Sequence, residues 1–186
     1  DNLNIEPSQN RKYPLERNNK IVNDFSKKNL ILIIVESLSY KYLDYFSKNN
    51  FAATPNLDKL SEKELIFLNF FANGQRSVEG IQSILTGIPS LPGIPDITAL
   101  SANYPKLGQI AENNGYKTIF ITSTLRESFS LDLIAGASGF KEYYGKEDYP
   151  MLLDYEYDVN RPLGWDYESL MYLFTLIKDN DKPIFA

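Results

Sequence analysis

Two oxygen-bearing side chains stand where an α/β chain most readily does chemistry. Glu36 directly follows the apolar run Leu30, Ile31, Leu32, Ile33, Ile34 and Val35; Ser77 closes the turn Asn73-Gly74-Gln75-Arg76-Ser77. A carboxylate at the carboxyl end of a central strand lies at the edge where open α/β sheets bind ligands. It suits a hard divalent cation such as Mg²⁺, Mn²⁺ or Ca²⁺, and equally it can cap the next helix or pair with a lysine. Ser77 opens a segment with Val78, Ile81, Ile84 and Leu85 at helical spacing. Free backbone N–H groups and the helix dipole make such a start attractive to phosphate. Beside a metal, a hydroxyl there could attack phosphorus; on propensity alone it is an N-cap serine. Arg76 is either a phosphate clamp or a surface charge.

Other motifs fail for want of partners. The stretch Gly74 to Gly80 lacks the Gly-Lys-Ser/Thr of a P-loop. Gly136-Ala137-Ser138-Gly139 is only loosely like a nucleophile elbow, and no histidine exists to activate its serine.

The elements that must position these residues follow from periodicity. Residues 1–29 are polar, carry Pro7 and Pro14, and read as a linker or an N-terminal arm. The run 30–35 predicts a central strand apolar on both faces, followed by a helix over about 39–48. Thr54-Pro55 starts a helix that ends near Lys63. A short strand is expected over 65–71, a helix over 78–85 stopped by Gly87 and Pro89, and a loop over 90–101. Leu107, Ile110 and Ala111 mark a helix closed by Asn114-Gly115. Residues 116–122 read as a strand, and Leu131, Ile134 and Ala135 as a helix before Gly136. The aromatic and acidic stretch 139–164 shows no period and reads as loop; 166–178 is helical, and 182–186 begins a strand. Strands alternating with helices predict an α/β fold with a mainly parallel sheet.

Composition narrows the function. With 43% hydrophobic and 13% aromatic residues the chain can bury a core, so global disorder is not expected. A balance of 19 basic against 24 acidic residues, net −5, argues against nucleic acid as a partner, which needs a basic stripe. There is no cysteine, which excludes disulfides, thiolate zinc sites and a Cys nucleophile. There is no histidine either, which excludes a Ser-His-Asp triad and a His-ligated metal within these residues. The longest apolar run falls far short of the roughly 20 residues that span a bilayer.

Taken in order, several pieces resemble the opening of alkaline phosphatase/sulfatase superfamily proteins: residues 32–37, Thr54-Pro55-Asn56-Leu57-Asp58-Lys59-Leu60, and 69–74. Arg76-Ser77-Val78-Glu79-Gly80, the stretch Leu85-Thr86-Gly87-Ile88-Pro89-Ser90, Gly139-Phe140 and Gly164-Trp165-Asp166 are similar to the lipoteichoic acid synthase and phosphoglycerol transferase branch. The resemblance covers about Asn29 to the end and makes 30–186 the N-terminal portion of such a catalytic domain.

It implies an alkaline phosphatase-like sheet with helices on both faces, truncated here. It assigns Glu36 as a metal ligand, and Ser77 as nucleophile and metal ligand where the branch usually has Thr. Trp165 and Asp166 match a segment near the substrate head group in relatives, and Arg76, as a phosphate clamp, is counted as substrate-binding with them. The implied cofactor is a divalent metal ion (Mn, Mg, Ca or Zn), its site incomplete because the family adds an Asp-His pair and a further His downstream. Implied partners are a lipid-linked phosphoglycerol-type donor and a glycan or lipid acceptor. The implied place is the extracytoplasmic face of a membrane, reached through a region absent here. The other functions open to this scaffold are a sulfuric- or phosphate-ester hydrolase and a non-catalytic binding domain. Ser77-Val78-Glu79-Gly80-Ile81 lacks the Pro and Arg of a sulfatase nucleophile signature, which weighs against sulfate chemistry. On this reading the chain is a fragment, with negligible activity and weak metal binding by itself.

Overall fold

The computed structural model describes residues 26–90, 100–153 and 164–186. Most of the arm expected over 1–29 and most of the loop expected over 90–101 lie outside the described residues. In chain order the elements are α1 (Asp44–Ser47), α2 (Pro55–Ser61), α3 (Ser77–Thr86), α4 (Leu107–Asn113), β1 (Lys117–Ile121), α5 (Leu131–Ala137), β2 (Glu142–Tyr144), α6 (Asp166–Lys178) and β3 (Ile184–Phe185). Single 3-10 turns at Tyr40–Tyr42, Ser128–Ser130 and Lys146–Asp148 join them.

The sheet is parallel throughout, in the order β2-β1-β3. Ile119 stands opposite Glu142 and Ile121 opposite Tyr144, while Lys117 faces Ile184 and Thr118 faces Phe185. β1 is central, as a strand needs to be when both faces are covered: Ile119 and Thr118 are buried. Phe185 of β3 stacks on Phe140 at 5.5 Å between ring centres, and Phe120 meets Phe140 edge-on, also at 5.5 Å. Leu85 of α3, Ile134 and Ala135 of α5 and Leu100 complete this core. The core therefore ties α3, which begins at Ser77, to the middle of the sheet.

Three expectations change. The run 30–35 is an edge segment among the described residues, not a central strand. Leu30 bridges Phe185, the Leu30 N–H donates to the Ile184 carbonyl at 2.8 Å, and the Leu32 N–H donates to that of Ala186 at 2.8 Å. Beyond Leu32 the ladder stops, and exposure runs from 40% at Leu32 to 62% at Ile33. The stretch 65–71 is not a strand, because no described neighbour takes its backbone hydrogen bonds; Leu65 and Phe71 are 82% and 81% exposed. The helix expected over 39–48 is broken into the 3-10 turn and α1. The break is at Leu43, which is extended at φ −91° and ψ 98°; after α1 the Asp44 carboxylate accepts the N–H groups of Phe51 (2.9 Å) and Ala52 (2.6 Å), folding the following chain back onto the helix start.

A fourth difference is β2, which the loop reading of 139–164 does not foresee. A three-residue strand is too short to show a period, and its pairing with β1 makes it. The Lys117 ammonium reinforces the pair by meeting Glu142 Oε1 at 3.0 Å. Residues 154–163 of that stretch lie outside the described residues.

The remaining helices match expectation closely, and their ends have visible causes. α3 stops at Gly87, whose left-handed φ of 71° lets its N–H donate to the Ser83 carbonyl at 2.9 Å. It starts under a carboxylate: Glu79 accepts the N–H groups of Gln75 and Arg76 and the Arg76 Nε–H at 2.9 Å. The Arg76 guanidinium, helped by those two amides, holds the Glu79 carboxyl below the ordinary range. No helix among the described residues is long and apolar enough to cross a membrane.

α4 packs closest at Gly108. A Cβ there would meet backbone on every side: Ser138 O at 2.5 Å, Gly139 C at 2.7 Å and Phe140 N at 2.8 Å. Backbone cannot swing aside as a side chain can, so Gly108→Ala is expected to destabilise the fold by about 1–3 kcal/mol in denaturant titration. Glu79 supplies a pH test. Its folded pKa is lowered, so its pinning of α3 is present above the unfolded carboxylate range and is lost as pH falls through the folded value. NMR titration of the Glu79 carboxyl should give a midpoint below the ordinary 4.5, moving back toward it in Arg76→Ala; equal midpoints in the two proteins would refute the Arg76 contact.

Candidate functional site

Parallel pairing sends all strands out at one edge. At this carboxyl edge the run 30–35 ends in Glu36, β1 ends in Thr122-Ser123-Thr124, and β2 ends in Gly145. Glu36 is exposed, in a turn where the Ser37 hydroxyl donates to its Oε1 at 3.1 Å. Ser37 itself sits at φ 57°, a left-handed conformation that turns the chain sharply away from the sheet. The carboxylate thus lies at the end of the segment, as expected, but on the sheet's edge and open to water.

Ser77 is the first residue of α3, with Arg76 as its N-cap in extended conformation. It is therefore inside the helix, not the cap itself, and its side chain is exposed. A helix start offers free N–H groups to an anion; here the Glu79 carboxylate takes the Gln75 and Arg76 amides just ahead of Ser77, and the Glu79 N–H donates to the Arg76 carbonyl. Arg76 is turned back onto Glu79 on its own helix, with its side chain still 67% exposed. Among the described residues no hydrogen bond joins Glu36 to Ser77, and no group of three or more Asp, Glu, His or Cys side chains could hold a metal ion. The two oxygens fit a hard divalent cation in kind and fall short of a full ligand set in number.

Trp165 and Asp166 are brought to the carboxyl edge by β1. The Ser123 hydroxyl donates to Asp166 Oδ1 at 2.6 Å, and the Gly164 N–H donates to the Ser123 carbonyl at 2.5 Å. Trp165 is the N-cap of α6 and is half exposed, and Asp166 is the first helical residue. In the same first turn, the buried Glu168 carboxylate accepts the N–H groups of Leu152 (2.6 Å) and Leu153 (2.9 Å). That satisfies a charge whose burial would otherwise be costly.

Sequence reasoning missed two features of this edge. Ser123 is one; the signal was the hydroxyl run Thr122-Ser123-Thr124 directly after an apolar strand. The other is a cavity of about 500 Å³ lined by Leu125, Arg126, Glu127, Ser128, Asp132 and Glu147. Its Arg126 is held from two directions, its N–H donating to Glu147 at 3.0 Å and its Nη1 meeting Asp148 Oδ1 at 2.7 Å. Nothing local in the sequence joins residues 126 and 147; the parallel pairing of β1 with β2 does.

Comparison with known proteins shows the family and the fold. The model of the Sulfatase family matches residues 28–186. Among solved structures, the chain is similar to a protein in the alkaline phosphatase superfamily from Vibrio parahaemolyticus (TM-score 0.70, 24% identity, 87% of this chain and 39% of that one). It is also similar to the lipoteichoic acid synthase LtaP from Listeria monocytogenes (TM-score 0.67, 20% identity, 86% of this chain and 39% of that one). A third is the C-terminal periplasmic domain of EcEptC from Escherichia coli in complex with Zn (TM-score 0.60, 20% identity, 87% and 42%). At these identities the likenesses show the fold, and this chain spans about two fifths of the length of the structures it resembles. With a match running from residue 28 to the last residue, over a parallel sheet of the alkaline phosphatase type, the chain belongs to the sulfatase family.

Proposed function

We propose that this chain carries the nucleophile side of a metal-dependent phosphotransferase, with Ser77 as the attacking group and a phosphoglycerol-type lipid as donor. The observation that carries the reading is Ser77 itself: an exposed hydroxyl on the first residue of α3, in a family of ester-cleaving enzymes. The structural likeness to a lipoteichoic acid synthase supports the choice of transfer over hydrolysis. Acceptors of matching chemistry are a glycan or lipid hydroxyl. The extracytoplasmic face of a membrane is the proposed place, supported by the likeness to a periplasmic domain.

In the proposed step the Ser77 Oγ–P bond forms as the bond from phosphorus to the lipid alkoxide breaks, and the serine proton leaves to solvent or the departing oxygen. The acceptor hydroxyl oxygen then bonds to phosphorus as the Ser77 Oγ–P bond breaks, and the acceptor's proton, passed through solvent, restores the Ser77 hydroxyl. The first-turn amides of α3 would face the phosphoryl oxygens, where negative charge is most stable. Glu36 and Ser77 are the residues that would hold a divalent cation, whose chemistry is to acidify the serine hydroxyl. Arg76, Trp165 and Asp166 are assigned to the substrate head group, Arg76 by releasing Glu79 for a phosphate oxygen.

In the natural protein, Ser77→Ala should lower turnover of a phosphoglycerol lipid on the order of 10⁶-fold, the scale of losing a covalent nucleophile. It should also abolish trapped phosphoenzyme, while Ser77→Thr keeps both; unchanged phosphoenzyme in the alanine protein would sink the assignment. Sulfate and phosphate esters assayed in parallel separate transfer from hydrolysis. The chain of 186 residues should bind Mn²⁺ or Zn²⁺ with a calorimetric Kd weaker than about 1 μM, since two oxygen ligands leave most of the coordination to water. A tighter Kd would mean that the chain supplies further ligands.

A further inference from the structure

We infer that Ser123 is a positioning residue, fixing Trp165 and Asp166 at the carboxyl edge of the sheet. This rests on the proposed role of those two residues toward substrate, but its geometry stands apart from that role.

Ser123 lies two residues beyond β1, the central strand of the sheet, whose Thr118 and Ile119 are buried. It grips the incoming segment twice. The carbonyl accepts the Gly164 N–H before Trp165, and the hydroxyl donates to Asp166 after it. The residue between the two contacts is Trp165, so its backbone is fixed on both sides while its ring stays half exposed. The hydroxyl contact is short, 2.6 Å, as expected for a hydrogen bond to an ionised acceptor. It also orients the first carboxylate of α6, whose place at the helix start is favoured by the dipole.

The flanking hydroxyls are used otherwise. Thr122 and Thr124 bond each other at 3.0 Å, and the Thr122 carbonyl takes the Tyr149 hydroxyl at 2.7 Å. Among the three, Ser123 is the one directed across 43 positions of sequence to α6. Farther along α6, Glu168 fixes Leu152 and Leu153, so the first turn of the helix is anchored independently of Ser123. Loss of the Ser123 hydroxyl should therefore loosen Trp165 without releasing the helix.

Trp165 is the chain's only tryptophan, so its fluorescence reports this segment alone. With secondary structure confirmed by circular dichroism, Ser123→Ala should raise acrylamide quenching of Trp165 about twofold and shift its emission to the red. Ser123→Thr should restore both, because it keeps the donor. Asp166→Ala should give the same change, and the double variant should add little to either single one, because all three lose one bond. Unchanged quenching in Ser123→Ala, or additive changes in the double variant, would overturn the inference. Should Ser123→Ala fail to fold, Asp166→Ala and Ser123→Thr still decide it: unaltered quenching in Asp166→Ala refutes it. These readings need no substrate. A chain that passes them yet belongs to a protein inactive on phosphoglycerol lipids would keep the positioning role and lose the proposed reaction.

Discussion

Parallel pairing of β1 with β2 and β3 is the constraint on which the rest of this structure depends. Antiparallel neighbours would send alternate strands to opposite edges and scatter their loops. Parallel neighbours require each strand to return through a crossover, and each then exits on the same side. Glu36, Thr122-Ser123-Thr124, Gly145 and the cavity around Arg126 share one edge for that reason. The crossovers are the helices, and α3 and α5 bury their apolar faces on Phe140 and Phe185. A change in the register at Ile119 or Ile184, both wholly buried, would therefore be felt at every loop of that edge.

The charges follow from the same arrangement. Acidic side chains gather at helix starts: Glu79 on α3, Asp132 on α5, and Asp166 with Glu168 on α6. Each meets amide groups or the positive end of a helix, where a carboxylate is most stable. Two of them also reach across the fold, Asp166 to Ser123 and Glu168 to Leu152 and Leu153. A net charge of −5 is thus partly spent on structure.

Much of the scaffold was legible. α3, α4, α5 and α6 were visible in helical spacing, in Gly87 and Asn114 at their ends, and in Asp166 at a start. The strands β1 and β3 showed as apolar segments between helices. The failures share a cause. The runs 30–35 and 65–71 have the composition of strands, yet a strand exists only where a neighbour accepts its hydrogen bonds, and composition does not say whether one is there. The helix expected after Leu38 is interrupted where Leu43 turns extended, a local backbone choice that spacing does not weigh.

For the candidate site, the sequence by itself determined the residue types: a carboxylate after an apolar run, a hydroxyl at the head of an amphipathic helix, and no cysteine or histidine to offer other chemistry. These are properties of short segments, written in adjacent positions. Only the tertiary structure decided that Glu36 stands at an exposed edge, that Arg126 meets Asp148, and that Ser123 holds Asp166. Such contacts join residues that the chain separates, and they exist because buried parallel pairing leaves each loop one place to go.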